Sequence, residues 1–158
     1  MEKAYKFRVY PNKIQRELIE KTFGCTRFVY NYYLSKRIEL YKNNKESLSY
    51  TKCSEDLTKL KQKFEWLKEV DKFALQNSLH DLDNAYKKFF KEHSGFPKFK
   101  SKKTHKHSYR TSFTNGNIQY YSKYIKLPKL GMVKTRNKQI PQGRILNATV
   151  SQEPSGKY

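Results

Sequence analysis

Acidic residues are scarce where this chain is most basic. Of its 14 aspartates and glutamates only Glu153 lies beyond residue 92, whereas 14 of the 34 lysines and arginines do. Phosphodiester chemistry on paired divalent ions needs two or more carboxylates held together, so the rear segment has no such site of its own. In the front segment Asp81 and Asp83 are two apart and face different sides of a helix, and Glu65 and Glu69 have an ordinary surface spacing. Cysteine is equally sparse. Cys25 and Cys53 fit no CxxC pattern, which indicates neither a zinc site nor a disulfide framework and reads as two buried thiols. No run of about 18 apolar residues is present, and "MEKAYKFRVY" lacks the apolar core of a signal peptide. The expectation is a cytoplasmic, nucleoid-associated protein with no membrane partner.

What is present is positive charge and tyrosine. The net charge is +20, with 20 basic and 13 acidic residues in 1–92 against 14 and 1 in 93–158. Such a field opposes compactness unless a polyanion neutralises it, so nucleic acid is the leading partner and an anionic membrane surface the second. Aromatic residues make up 15%, and 13 are tyrosines, whose amphipathic rings suit surfaces that touch both bases and water. The 36% of hydrophobic residues can support a core in a chain of this length.

Along the chain, "KAYKFRVYP" alternates, with Tyr5, Phe7 and Val9 on one side, and predicts a strand of about six residues stopped by Pro11. Asn12 caps a following helix with Gln15 at the fourth place of the capping box. Gly24 is expected to interrupt it, so that a second helix runs from Thr26 to Tyr41. Cys53, Leu57, Leu60 and Phe64 signal a third helix, and Leu75, Leu79, Leu82 and Tyr86, behind an Asp71 cap, a fourth. From Gly95 the pattern changes. Pro97, Pro128 and Pro141 exclude long helices, and "SYRTSF", "NIQYYSKYIKL" and "RILNATV" read as short strands separated by "NGN", "PKLG" and "PQG" turns. The end, "VSQEPSGKY", reads as a strand, a turn and two residues of a returning strand, so further chain is expected after Tyr158. The first strand is expected to join the sheet of the later ones, with the helices as an insertion.

Between helices and strands lies "GFPKFKSKKTHKH". Lys98, Lys100, Lys102 and Lys103 are placed to neutralise successive phosphates, with Phe96 and Phe99 between them to stack on bases or anchor the segment. The plainer reading is a solvated linker. Without a nucleic acid the segment is expected to be mobile. His105 and His107 share one face of a strand and raise the possibility of a single-metal site of a His/Tyr single-strand transposase, but Lys106 stands where an apolar residue belongs.

Five segments, in order and over nearly the whole chain, resemble TnpB, the transposon-encoded RNA-guided DNA endonuclease related to type V CRISPR effectors. They are "RVYPNKIQRELIEKTFGCTRFVYNYYL", "EVDKFALQNSLHDLDNAYKKFF", "GFPKFKSKK", "YRTSFTNGNIQ" and "IKLPKLGMVKT". The resemblance implies an α+β fold in which a helical recognition lobe is inserted after the first strand of an oligonucleotide-binding-like β-barrel, the wedge domain. The implied divisions are 1–10 for the first wedge strand, 11–94 for the lobe, 95–104 for a basic linker and 105–158 for the remaining wedge strands. It further implies that the chain holds a structured guide RNA and reads a short transposon-adjacent motif in duplex target DNA, while guide pairing reads the target.

Carried over by position, the motif readers are Tyr50, Ser54, Lys72, Phe73, Gln76, Thr114 and Asn115. Gln76 suits an adenine edge, and Tyr50 and Phe73 suit thymine methyls. Arg8, Lys98, Lys100, Lys102, Lys103 and Arg110 are the candidates for backbone contact. The family's RuvC-type nuclease carboxylates and zinc ribbon have no counterpart in these residues. No catalytic residue or metal ligand is therefore assigned here, and magnesium is expected only of the nuclease domain. The expected assembly is a monomer. The alternatives are a stand-alone helix-turn-helix DNA-binding protein, for which 12–41 supplies the segment, and the His/Tyr transposase.

Overall fold

The computed structural model describes residues 2–103, 107–137 and 139–158. Among these, the order is a two-residue strand β1 (Val9–Tyr10), helices α1 (Lys13–Asn44), α2 (Tyr50–Lys63) and α3 (Lys72–Glu92), and strands β2 (Ser108–Ser112), β3 (Gln119–Tyr121), β4 (Tyr124–Leu127), β5 (Gly131–Thr135) and β6 (Asn147–Ser151). A single 3-10 turn, Glu65–Glu69, links α2 to α3. The fold is α+β, with two separate antiparallel sheets, β1-β5-β4-β3 and β2-β6, and no closed barrel among the described residues.

Three sequence expectations change. Gly24 does not interrupt the first helix, which continues as α1 for 32 residues. A helical glycine costs only about 1 kcal/mol relative to alanine. The buried stripe Ile19, Phe23, Tyr30, Leu34 and Arg37 keeps helical phase across Gly24, so packing on both sides outweighs that cost. The expected four helices are accordingly three. The first strand is two residues long rather than six, although it does join the later strands, pairing Val9 with Thr135 and Tyr10 with Lys134.

The end caps are as the sequence suggests. The Asn12 side chain accepts from the Gln15 N–H at 2.8 Å, and Gln15 Oε1 accepts from the Asn12 N–H at 2.9 Å. Asp71 caps α3 by accepting from the Phe73 N–H at 2.9 Å. The "NGN" and "PKLG" turns hold Asn115, Gly116, Lys129 and Gly131 at positive φ.

Two cores result. One lies among the helices and includes Val29, Tyr33, Leu34, Leu57, Leu67, Leu75, Leu79 and Leu82. The other joins Ile19 and Phe23 of α1 and Ala74 of α3 to Tyr109, Leu127, Val133 and Val150 of the strands. Polar clasps fasten helices to strands. Gln15 Nε2 donates to the carbonyls of Leu130 and Met132 at 3.1 and 2.9 Å, and Asn77 Nδ2 donates to Arg110 O at 2.9 Å. At the carboxyl end the Val9 N–H donates to Tyr158 O at 3.2 Å, and the Tyr158 hydroxyl donates to Glu20 at 2.9 Å.

Candidate nucleic-acid interface

The first group of candidates sits where α2 and α3 lie side by side. The hydroxyls of Tyr50 and Ser54, one turn apart on α2, both donate to Gln76 Oε1 on α3, at 3.0 and 3.1 Å. Both lone pairs of that oxygen are thereby used, and the Gln76 amide nitrogen is left to donate outward. This alters the chemistry expected from sequence. In place of a bidentate donor–acceptor pair with adenine, the side chain offers a donor, which suits purine N7, guanine O6 or thymine O4.

Lys72 lies one turn before Gln76 on the same face, exposed, with its ammonium 5.2 Å from the Phe73 ring centroid. Phe73 itself is half-buried. Thr114 and Asn115 occupy the exposed turn after β2, where the Thr114 N–H donates to Asn117 Oδ1 at 2.8 Å. No hydrogen bond joins these two to the Gln76 group among the described residues. They share its side of the fold only through β2, which Asn77 fastens to α3.

Two neighbours of this group escape the sequence reading. His80 stacks on Tyr50 with centroids 4.0 Å apart and is exposed. Its position one turn after Gln76 and two after Lys72 was the available signal. Lys61 of α2 has its pKa pushed down, chiefly by burial and secondarily by the charge of Lys72, which places two cations near each other at this corner.

The backbone-contact candidates divide. Lys98, Lys102 and Lys103 are exposed. Lys100 turns inward: its backbone is clasped by Asn31 at 2.8 and 2.9 Å, and its ammonium lies 4.1 Å from the Tyr30 ring centroid. Burial pushes its pKa down, with Asp81 partly opposing the shift. The linker expected to be mobile is thus seated at several points, with Pro97 buried and Phe96 edge-on to Tyr86 and Phe89. Arg110 is paired with Asp81 at 3.1 Å and half-exposed. Arg8 is exposed, its guanidinium 4.9 Å from the Tyr10 ring centroid, and Arg136 lies at the same distance from that ring.

As for metal chemistry, His105 lies outside the described residues. His107 Nε2 is 3.0 Å from Lys102 O, and its ring lies against Phe23. Among the described residues no group of three or more His, Cys, Asp or Glu side chains is placed to hold a metal ion. The described residues offer no carboxylate set that fits the magnesium of a nuclease site. Cys25 and Cys53 are both buried, and burial pushes the Cys25 thiol up to about 11. No helix of the described residues is long and apolar enough to cross a membrane.

Residues 1–46 match the family model for the helix-turn-helix domain of IS605 OrfB proteins. Over 158 residues, 98% of the chain, the sequence is 34% identical to InsQ of Escherichia coli K12, provisionally named an RNA-guided DNA endonuclease. It is 31% identical over 171 residues to a protein of Streptomyces pristinaespiralis with the same provisional name, covering the whole chain. The chain belongs to the TnpB family. It spans 38% and 40% of the length of those two TnpB-like relatives. A third relative, virulence protein VsdF of Salmonella dublin, is 34% identical over 113 residues, which make up 95% of VsdF and 65% of this TnpB-family chain. The helix-turn-helix match falls on β1 and α1, where the TnpB-family chain has one helix unbroken from Lys13 to Asn44.

Proposed function

We propose that this chain is the guide-RNA-binding and adjacent-motif-reading part of a transposon-associated RNA-guided DNA endonuclease. The observation that carries the reading is the Tyr50–Ser54–Gln76 hydrogen-bonded group, with Lys72 exposed on the same helix face. A glutamine braced by two hydroxyls is held in one orientation, and a side chain that is already ordered loses less entropy when it meets a base edge. Lys72 and Lys61 beside it supply the attraction to phosphate that brings duplex DNA to that corner. Thr114 and Asn115 provide further contact from the turn after β2, and Tyr50 and Phe73 offer apolar surface to a thymine methyl.

The strands support the other half of the reading. Two small antiparallel sheets around one core are compatible with an opened oligonucleotide-binding-like wedge, and their surplus of cations suits a structured RNA. The relatives named as RNA-guided DNA endonucleases support DNA cleavage directed by an RNA guide as the reaction class of the whole protein. In that scheme the present residues select and hold, while magnesium chemistry belongs to a nuclease domain. The chain acts as a monomer on one RNA and one duplex.

A gel shift with motif-bearing duplex, alone and with guide RNA, tests this. RNA binding should fall about a thousandfold or more between low and moderate salt if six to ten phosphates are contacted. Gln76→Ala should reduce the shift of motif duplex in the RNA complex about tenfold, while leaving RNA affinity unchanged. Sequence-specific shift of bare duplex, undiminished without RNA, would instead favour the stand-alone helix-turn-helix reading that the family match to 1–46 suggests.

A further inference from the structure

The four-stranded sheet buries one face and leaves the other open. Facing inward are Val9, Thr135, Val133, Ile125 and Leu127, of which Val133 is fully buried. The alternate residues point out. Pairing across the strands sets them in rows: Tyr10, Lys134, Tyr124 and Tyr121 form one row through all four strands, and Met132, Lys126 and Gln119 form the next. Tyr121 and Tyr124 face each other across the β3–β4 turn and are 44% and 41% exposed, and Met132 of β5 is 44% exposed. Arg8 and Arg136 extend the outer face one step past the Val9–Thr135 pair.

The chemistry of this face is one-sided. Its cations are Arg8, Lys126, Lys134 and Arg136, and none forms an ion pair among the described residues. The strands that build it contain no acid. Arg8 and Arg136 both lie 4.9 Å from the Tyr10 ring centroid, so two like charges are gathered over one ring. Like charges on adjacent strands repel, and an anion placed between them relieves the repulsion. Tyr121 and Tyr124 are not stacked on any other aromatic ring among the described residues, in contrast to Phe7 and Tyr120 at the sheet's inner rim, which stack at 5.4 Å. Free ring faces beside unpaired cations on an open sheet suit unstacked bases. A paired duplex hides its base faces and offers only its backbone.

We propose that the outer face of this sheet binds unpaired nucleotides of RNA, with bases stacked on Tyr121 and Tyr124 and phosphates held by Lys134, Arg8 and Arg136. This rests on the RNA-binding reading above and gives it a location distinct from the Gln76 corner. Lys126 supplies further attraction along the second row.

The test uses the whole chain with three fluorescent probes: a short oligouridine, a fully paired RNA hairpin of equal charge, and oligothymidine. Tyr121→Ala with Tyr124→Ala should weaken oligouridine binding about a hundredfold, roughly tenfold per base stacked, and hairpin binding by less than about twofold. Tyr121→Phe with Tyr124→Phe should bind oligouridine like the parent, because the rings remain. Lys134→Gln with Lys126→Gln should weaken both RNAs and flatten the salt dependence by about one to two counterions. Thermal melting of each variant checks the fold, and Tyr121→Leu with Tyr124→Leu, which keeps apolar bulk but no ring, should show the same selective loss on oligouridine should the alanine pair unfold. Equal loss on oligouridine and hairpin, or no loss on oligouridine, would overturn the stacking site while leaving RNA binding intact. Tighter binding of oligothymidine than of oligouridine would make it a DNA-strand site and overturn the RNA assignment. A parent chain that binds neither RNA would sink the broader reading as well.

Discussion

In the helices, Arg37 and Lys87 both lie 3.3 Å from Asp83, and Lys21 bonds Glu69. On the open sheet face, Arg8, Lys126, Lys134 and Arg136 have no carboxylate partner among the described residues. What separates the two regions is acid: 13 of the 14 carboxylates lie in residues 1–92, and the strands of the open sheet carry none. Where acids are interleaved, positive charge is used to pack helices together; where they are missing, it points outward and needs a partner from elsewhere. Arg110 marks the boundary, a strand cation that reaches back to Asp81 of α3.

The strongest way to break that comparison is to ask whether the regions are separable at all. Leu79→Ala empties the helical core at a fully buried site and should cost about 3 kcal/mol, whereas Val133→Ala in the strand core should cost about 2 kcal/mol. Because Gln15 and Asn77 bridge the regions, both variants should lower one shared urea transition, seen alike by far-ultraviolet dichroism and by amide exchange in the strands. Two separated transitions would show that the clasps do not couple the cores.

The charge contrast itself can be sharpened with two acids. Asp83→Ala strands the guanidinium of Arg37, which is 8% exposed and already has an unbonded Nε, and should cost about 2 kcal/mol. Glu153→Gln removes the one acid of residues 93–158, yet its partner Lys6 is almost fully exposed, so denaturation should shift by less than about 0.5 kcal/mol. Similar losses from the two would erase the distinction.

A last expected effect lies at high pH. Burial first, then the hydrogen bond to Glu20, raises the Tyr158 pKa to about 12. A raised pKa means that folding favours the protonated phenol. Its contribution is therefore complete below about pH 10, the ordinary tyrosine value, and disappears as pH climbs toward about 12. Tyrosinate absorbance should show one ring fewer titrating late in Tyr158→Phe, and that variant's stability should fall less steeply over this interval.

How much of this was legible in the sequence depends on the range of the interaction. Asn12 with Gln15 and Asp71 with Phe73 act within a few residues, so composition at fixed spacing revealed both caps. The hairpin turns around Asn115 and Lys129 were equally local. At Gly24 the local signal points the wrong way, because a weak helix former sits within an apolar stripe that stays in phase across it. Strand β5 carries little local signal, since its first residue, Gly131, belongs to the "PKLG" turn and only Met132 to Thr135 are left to alternate. The joints were out of reach. Nothing near Gln15 announces the carbonyls of Leu130 and Met132, 115 and 117 positions away, and nothing near Asn31 announces Lys100. For the candidate site, helical spacing placed Lys72 and Gln76 together, but the bracing hydroxyls of Tyr50 and Ser54 required a second helix in a defined register.

Helix α1 has its early residues Ile19 and Phe23 bedded among the strands and its later ones, Val29 to Leu34, among the other helices. At 32 residues it is a beam about 48 Å long with no joint at its glycine. The strand core and the helical core are therefore strung on one stiff rod, and a nucleic acid that touches both regions meets a surface that does not fold to suit it.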